Sequence, residues 1–264
     1  MNAHLVHAAM LVGALAVRDQ SREQQMPQRQ QGRTSGASAR AAAVLDLTGY
    51  WVSVVTEDWR WRMLTPPKGD YSGVPLNIEG RKVTDQWDPA KDEAAGLQCR
   101  AYGAAGVMRQ PTRLHVTWSD DRTLRIDIDN GTQTRLLRFG PGAPGVDSAR
   151  GAPTWQGHST AAWEGDAASP ARRGAEPGGP RDLKVVTTHM RAGYLRKNGV
   201  PYSAQAVMTE YFDLVPTQPN GDQWLVVTSV VDDSLYLTEP FLISTHFRKE
   251  PGGSAWHPTP CAAR

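Results

Sequence analysis

Three side chains have the chemistry for general acid–base catalysis: His189, His246 and Glu210. The histidines lie in or at the end of segments that alternate polar and apolar residues, and Glu210 shares a strand face with Met208 and Phe212. A catalytic acid or base in a barrel must lie inside with a shifted pKa, and apolar surroundings would raise the pKa of Glu210. The alternative is that Glu210 is a rim or outer glutamate in a salt bridge and that the two histidines line a core or a cavity.

The sequence contains no motif for a metal, a nucleotide or a serine nucleophile. His115, His189 and His246 are strand histidines, but HxH and HExxH spacings are absent and the cysteines form no CxxC motif. The glycine patterns of serine hydrolases and of phosphate-binding and dinucleotide-binding loops are also absent. We therefore predict no metal and no cofactor.

Indoles and guanidiniums alternate at Trp59, Arg60, Trp61 and Arg62. As a strand, this segment would place both tryptophans on one face and both arginines on the other. Inward indoles would line an aromatic cavity together with Trp118, whereas inward guanidiniums would suit an acidic ligand. The remaining interpretation is a core strand with solvated arginines.

Two loops could close over the mouth of a cavity. Residues 66–71 contain two prolines and a tyrosine, and residues 193–203 contain Arg196 and Lys197 between Tyr194 and Tyr202. In residues 193–203, Tyr194 and Tyr202 would then act as the gates of the mouth. For residues 193–203 an ordered hairpin loop is the alternative.

Polar and apolar residues alternate along much of the chain after residue 49, a pattern typical of half-buried strands. Asn130-Gly131 is a strong hairpin signal between two such segments. One helix is predicted at residues 88–95, where Asp88 can cap and Pro89 suits the first helical position. About eight to ten short strands indicate a closed barrel or a sandwich. The predicted strands are residues 49–56, 113–118, 123–129, 133–139, 183–189, 204–214, 223–231 and 241–248, with 59–63 and 160–164 as further candidates.

Composition divides the chain into segments. Residues 1–17 contain an apolar run that fits a signal peptide and is shorter than the ~20 residues of a membrane span. Because this segment lacks Lys and Arg, an ordinary N-terminus is the alternative. Residues 18–43 are predicted as a disordered linker and residues 44–250 as a single barrel domain. The domain has a flexible insertion at about 140–181, and residues 251–264 form a tail.

Charge and cysteine content limit the partners and the compartment. The net charge of +2 over 264 residues predicts no nucleic-acid partner. Cys99 and Cys261 would pair in an oxidising compartment and tie the tail to the domain, and the alternative is two unrelated thiols. We predict a periplasmic or secreted protein without a transmembrane span.

The opening of the first strand, Gly49-x-Trp51, resembles the signature of lipocalins and the wider calycin group. In that family the tryptophan closes one end of the barrel and an arginine of the last strand packs across it, a role that the resemblance gives to Arg248. Thr209-Glu210-Tyr211 is similar to the family's Thr-Asp-Tyr motif, although it lies inside a predicted strand. The chain departs from the family in lacking a C-terminal helix. The resemblance implies an up-and-down barrel with a cavity for a small apolar ligand.

We therefore predict a mainly β, antiparallel up-and-down barrel with one short helix, which binds a small apolar or aromatic molecule in its interior. An enzyme of the isomerase, lyase or cyclase type, using His189 or His246 with Glu210, is the alternative. A structural envelope protein with a barrel filled by its own side chains is a third. The predicted ligand-binding residues are Trp59, Trp61 and Trp118 as walls and Tyr211, His189 and His246 as polar anchors, with Gly49, Trp51 and Arg248 as structural residues.

Overall fold

Nine β-strands close into a barrel in the order β1-β11-β10-β9-β6-β5-β4-β3-β2. The computed structural model describes residues 38–56, 58–140, 151–164 and 182–264. The predicted signal peptide lies outside these residues. The prediction of a mainly β closed barrel is confirmed. The strands are β1 Gly49–Val54, β2 Arg113–Asp120, β3 Thr123–Ile128, β4 Gln133–Phe139, β5 His158–Trp163, β6 Leu183–Thr188, β7 Gly193–Arg196, β8 Val200–Tyr202, β9 Val207–Val215, β10 Trp224–Asp232 and β11 Phe241–Glu250.

One neighbouring pair in the barrel, β4 with β5, is parallel. An odd number of strands cannot alternate in direction all the way round a closed barrel, so a parallel pair is unavoidable. The other neighbours in the barrel are antiparallel, as predicted. β5 lies inside the insertion that we predicted as flexible at about 140–181. It corresponds to the candidate strand at 160–164, and it pairs with both β4 and β6.

Short helices precede β2. The predicted helix at 88–95 is confirmed as α3, where Asp88 Oδ1 accepts a hydrogen bond from the Ala90 N–H at 3.1 Å. The predicted strand at 59–63 is wrong, because Arg62 N–H and Met63 N–H bond to carbonyls four residues earlier and form a helical turn. The helices are α1 Trp59–Arg62, α2 Ile78–Gln86, α3 Pro89–Ala94 and α4 Ala104–Val107, with a 3₁₀ helix at Gln98–Tyr102. None of the helices in the described ranges has the length and apolar character needed to cross a bilayer.

The segments that connect strands at one end of the barrel form a second packed layer, which we call the cap. It comprises residues 55–112, 189–206 and 233–240, and so contains α1–α4 and the β7–β8 hairpin. Residues 193–203, predicted as a mouth loop or an ordered hairpin, form that hairpin. The cap has its own apolar cluster, which includes Leu76, Met190, Leu195, Tyr202 and Leu237.

Inward-facing side chains fill the barrel. Trp51 is completely buried, and its Nε1–H donates to the Leu47 carbonyl at 2.9 Å. Lys249, the register partner of Trp51, lies with its Nζ 5.1 Å from the indole centroid. The resemblance gave this role to Arg248, which is exposed, because the side chains of neighbouring strand residues point to opposite faces. The barrel contains, among other buried side chains, Leu114, Leu124, Ile126, Ile128, Leu137, Phe212 and Phe247.

An aromatic layer closes the barrel end opposite the cap. Trp118 packs on Phe139 at 5.5 Å between ring centroids, and Phe139 packs on Trp163 at 5.3 Å. Trp163 Nε1–H donates to the Ala39 carbonyl at 3.0 Å. Ala39, which lies in the predicted linker, therefore contacts the barrel.

A disulfide joins Cys99, in the 3₁₀ helix, to Cys261, as predicted, with a Cα–Cα distance of 5.1 Å. The tail runs along the outside of the barrel, where Trp256 lies edge-on to Tyr50 at 6.0 Å. Thr259 N–H then bonds to the Asp129 carbonyl at 2.9 Å. The tail is thus fixed to both the barrel and the cap.

Removal of the disulfide should destabilise the fold strongly. The bond spans 162 residues, and a loop of that size is worth about 5 kcal/mol in the chain-entropy model. Urea unfolding of the oxidised protein and of a Cys99→Ser/Cys261→Ser variant measures the difference. A change in the free energy of unfolding below about 1 kcal/mol would contradict this prediction.

Candidate functional site

Glu210, a predicted catalytic candidate, lies inside the barrel and is paired with Arg135. Both side chains are fully buried, and the two guanidinium Nη atoms donate to the two carboxylate oxygens, with Nη1–Oε1 at 3.0 Å. Thr187 Oγ1 lies 3.5 Å from Arg135 Nη2 and 2.8 Å from Ser159 Oγ. Glu210 therefore forms a salt bridge, but it does so in the core and not at the rim or on the outside of the barrel as the alternative interpretation placed it.

The two predicted histidines do not join Glu210. His246 lies between the buried residues Thr245 and Phe247 on β11 and so faces outward. His189 follows β6 with φ of +55°, its Nδ1 lies 2.9 Å from Thr188 Oγ1, and its ring lies 5.7 Å from that of His158. The described ranges contain no cluster of three or more potential metal ligands.

The predicted aromatic residues lie in four different places. Trp59 is 59% exposed on α1, and Trp118 is on the inward face of β2 at the end away from the cap. Tyr211 faces outward on β9, with Lys184 Nζ 5.6 Å from its ring centroid. Trp61 lines a pocket in the cap. The structure therefore does not bring these predicted ligand-binding residues together inside the barrel.

The pocket beside Trp61 contains three buried arginines, and we call it the arginine pocket. Arg62, Arg109 and Arg196 are each 6% exposed. The cavity has a volume of about 20 Å³, enough for one small group, since a water needs at least about 10–15 Å³ on this measure. Its lining comes from three segments of the cap: Trp61, Arg62 and Leu64; Gly106, Arg109 and Gln110; Leu195, Arg196 and Lys197.

Backbone and side-chain contacts fix the three segments. Arg62 Nε–H donates to the Arg109 carbonyl at 2.8 Å and Nη1–H to the Val54 carbonyl at 2.7 Å. The guanidinium of Arg196 lies 4.9 Å from the Trp61 ring centroid. Asn198 Nδ2 donates to two carbonyls of residues 66–71 at 3.0 and 2.8 Å. The two predicted mouth loops therefore contact each other and support the pocket.

Charge compensation within the pocket is incomplete. Arg109 has Asp58 as its ion-pair partner, but the Nη2–Oδ2 distance is 3.8 Å. Neither Nη atom of Arg109, and neither Nε nor Nη1 of Arg196, has a hydrogen-bond partner in the described part of the chain. Burial, reinforced by the charge of Arg196, lowers the pKa of Arg109 to about 9. Burial also lowers the pKa of Arg196, and with a pKa of about 9 Arg109 stays cationic at pH 7.

This arrangement is suited to an oxyanion. A buried donor without a partner costs about 1–3 kcal/mol, and more when it is charged. Carboxylate, phosphate and sulfate groups accept paired N–H bonds from guanidinium and compensate its charge at the same time. The arginine pocket therefore has the donors and the charge for one anionic group.

A second, larger opening lies between the cap and the residues that precede β5, and we call it the cleft. It has a volume of about 370 Å³. The guanidinium of Arg191 lies 4.0 Å from the centroid of the Trp155 ring at its wall. The cleft is lined by Leu97, Arg100, Pro153, Trp155, Arg191, Ala192 and Ala204.

Sequence reasoning did not predict Arg109 as a functional residue. It lies in Met108-Arg109-Gln110, which has no recognisable motif. Arg196 and Lys197 were visible as a basic pair in residues 193–203, and Arg62 as a possible inward cation. Their meeting with Arg109 depends on the packing of the cap, which local spacing does not encode.

Comparison with protein-family models, with curated proteins and with solved structures gave no match for this chain. The class is therefore defined by the fold itself, a closed nine-stranded β-barrel consistent with a calycin-like barrel. Membership of the lipocalin family remains a resemblance.

Replacing only one member of the Arg135–Glu210 pair should lower the stability of the fold strongly, whereas replacing both together should not. Arg135→Met leaves a buried carboxylate without its partner, which costs about 3–5 kcal/mol, whereas replacing both buried charges by apolar side chains is often neutral or stabilising. Urea unfolding of Arg135→Met and of Arg135→Met/Glu210→Leu tests this. A double variant as unstable as the single one would contradict the prediction.

The His158–His189 contact should make stability depend on pH. Burial first, then the charges of His189 and Arg138, lower the pKa of His158. Because the unfolded chain then binds more protons below pH 6.5, this contribution is present above pH 6.5 and is lost as the pH falls through the folded-state pKa. Unfolding free energies at pH 7.5 and 5.0 should differ less for His158→Gln than for the wild type. An equal difference would exclude His158 as a cause.

Proposed function

We propose that the protein binds a small molecule through an oxyanion group held in the arginine pocket. The observation that carries this proposal is the environment of Arg109. This residue is only 6% exposed, and its two Nη atoms have no hydrogen-bond partners in the described residues. Arg196 supplies a second guanidinium, whose Nε and Nη1 have no hydrogen-bond partner among the residues that the structure describes, and Lys197 adds a charge in the lining. An anion would satisfy these donors and compensate the charges of both arginines.

The rest of the ligand would lie outside the pocket on an apolar surface. The cavity of about 20 Å³ holds only a head group. Leu64, which lines it, is 62% exposed, and Met63 and Trp59 beside it are 53% and 59% exposed. Exposed apolar groups next to a charged pocket favour a ligand with an anionic head and an apolar body. The proposed ligand is still partly apolar, as the sequence predicted, but the proposed binding site is in the cap and not in the barrel interior.

The alternatives have less support. A ligand inside the barrel would compete with side chains such as Trp51, Phe212 and Phe247, which are buried there. An enzyme using His189, His246 and Glu210 would need these residues in one pocket. Glu210 is paired in the core and His246 faces outward, so that mechanism is not the one that we propose.

Export to an oxidising compartment is part of the proposal. The Cys99–Cys261 disulfide supports it, because such bonds form and persist mainly in periplasmic, secreted and extracellular proteins. A periplasmic or secreted binding protein would meet small acidic molecules before they reach the cell interior.

Octanoate should raise the melting temperature at constant ionic strength, and acetate less. At 100 times its dissociation constant a ligand stabilises by about 2.7 kcal/mol, which corresponds to a shift of about 5–10 °C for a domain of this size. Octanol, which lacks the charge, should have little effect. Differential scanning fluorimetry with these three compounds measures the shifts, and equal shifts for octanol and octanoate would contradict the proposal.

The variant Arg109→Met should abolish the octanoate shift without a large loss of stability. It removes a buried, poorly compensated charge, so we expect the free energy of unfolding to fall by less than about 1 kcal/mol. Arg81→Met, an exposed arginine on α2, is the matched control for net charge and should keep the shift. A loss of about 3 kcal/mol or more in Arg109→Met would instead give Arg109 a structural role.

A further inference from the structure

We infer that the cleft is a second binding site, for a small flat acid such as an aromatic carboxylate. Its volume of about 370 Å³ is within the range of roughly 300–1,000 Å³ that ligand pockets occupy. Its walls are mainly apolar, formed by Leu97, Pro153, Ala192 and Ala204 together with the indole of Trp155. The size fits a ring system rather than a single ion.

Arg191 provides the charge for this site. Its guanidinium lies 4.0 Å from the Trp155 ring centroid, a cation–π contact that holds the charge at the wall of the cleft. Arg191 forms no side-chain ion pair with any residue that the structure describes. Arg100, in contrast, is already paired with Asp92 at 2.7 Å and bonded to the Tyr194 hydroxyl at 2.9 Å. Arg191 is therefore the cation that an acid would meet.

The walls of the cleft are fixed before any ligand arrives. Ala104 N–H donates to the Trp155 carbonyl at 3.0 Å, and Arg191 N–H donates to the Thr154 carbonyl at 2.8 Å. On the opposite wall, the disulfide at Cys99 holds the helix turn that carries Arg100. Because these groups lose little freedom on binding, more of the contact energy is retained as affinity.

The cleft is independent of the arginine pocket. The two openings share no lining residue. An apolar ring would fill the space between the alanine and proline side chains and the indole, and the carboxylate would bond to Arg191. A ligand without a ring would leave the apolar walls of the cleft exposed to water. A ligand without a charge would not pair with the guanidinium of Arg191.

Titration of the full-length protein with 2-naphthoate tests the inference, with 2-naphthamide and acetate at the same ionic strength as controls. NMR of the labelled indole N–H groups reports the location, and Trp155→Phe assigns the signal of Trp155. We expect 2-naphthoate to shift that signal and to bind at least tenfold more tightly than 2-naphthamide. Arg191→Gln should weaken 2-naphthoate binding at least tenfold, whereas Arg81→Gln should change it less than twofold.

Several results would overturn the inference. Equal binding of 2-naphthamide would exclude an acid-specific site, and a shift of the Trp61 signal instead of that of Trp155 would assign binding to the arginine pocket. Absence of any shift would remove the site altogether. Arg191 is exposed, so its substitution should leave the fold intact, and a circular dichroism melt of Arg191→Gln checks this.

Discussion

The buried ion pair between Arg135 and Glu210 is the constraint on which the rest of the barrel depends. It places the only fully buried pair of opposite charges known in the described residues at the centre of a core formed otherwise largely of apolar side chains. Each charge compensates the other, and Thr187 and Ser159 extend the polar contacts. The two charges thus compensate each other inside the barrel, although Arg135 Nε has no hydrogen-bond partner in the described part of the chain.

The guanidinium groups in the cap are less well compensated than the one inside the barrel. Inside the barrel a guanidinium is bound bidentately to a carboxylate, whereas in the arginine pocket Arg109 meets a carboxylate only at 3.8 Å. Burial without full compensation lowers stability and lowers the pKa of Arg109. Such a cost is typical of functional sites, where the missing partner is a ligand. The contrast between the two arginine environments is the physical basis for separating the scaffold from the site.

Local patterns predicted the scaffold well and the site poorly. Alternation and Asn130-Gly131 located β2 to β4, and Asp88-Pro89 located α3, because these signals act within a few residues. Four alternating residues at 59–62 were too few to distinguish a strand from a helical turn. The pairing of Arg135 with Glu210 spans 75 residues, and Arg109 meets Arg196 only through cap packing. Contacts of this range leave no local periodicity from which to predict them.

The parallel junction between β4 and β5 has a consequence for how the chain folds. On one side of it, β2 to β4 form a run of adjacent hairpins, and on the other side β5, β6 and β9 to β11 pair in sequence. Each run can assemble from near neighbours, but Arg135 on β4 and Glu210 on β9 meet only when the two runs join. A slip of one residue in either run would turn one charge outward. The ion pair can therefore form only when both runs are in the correct register.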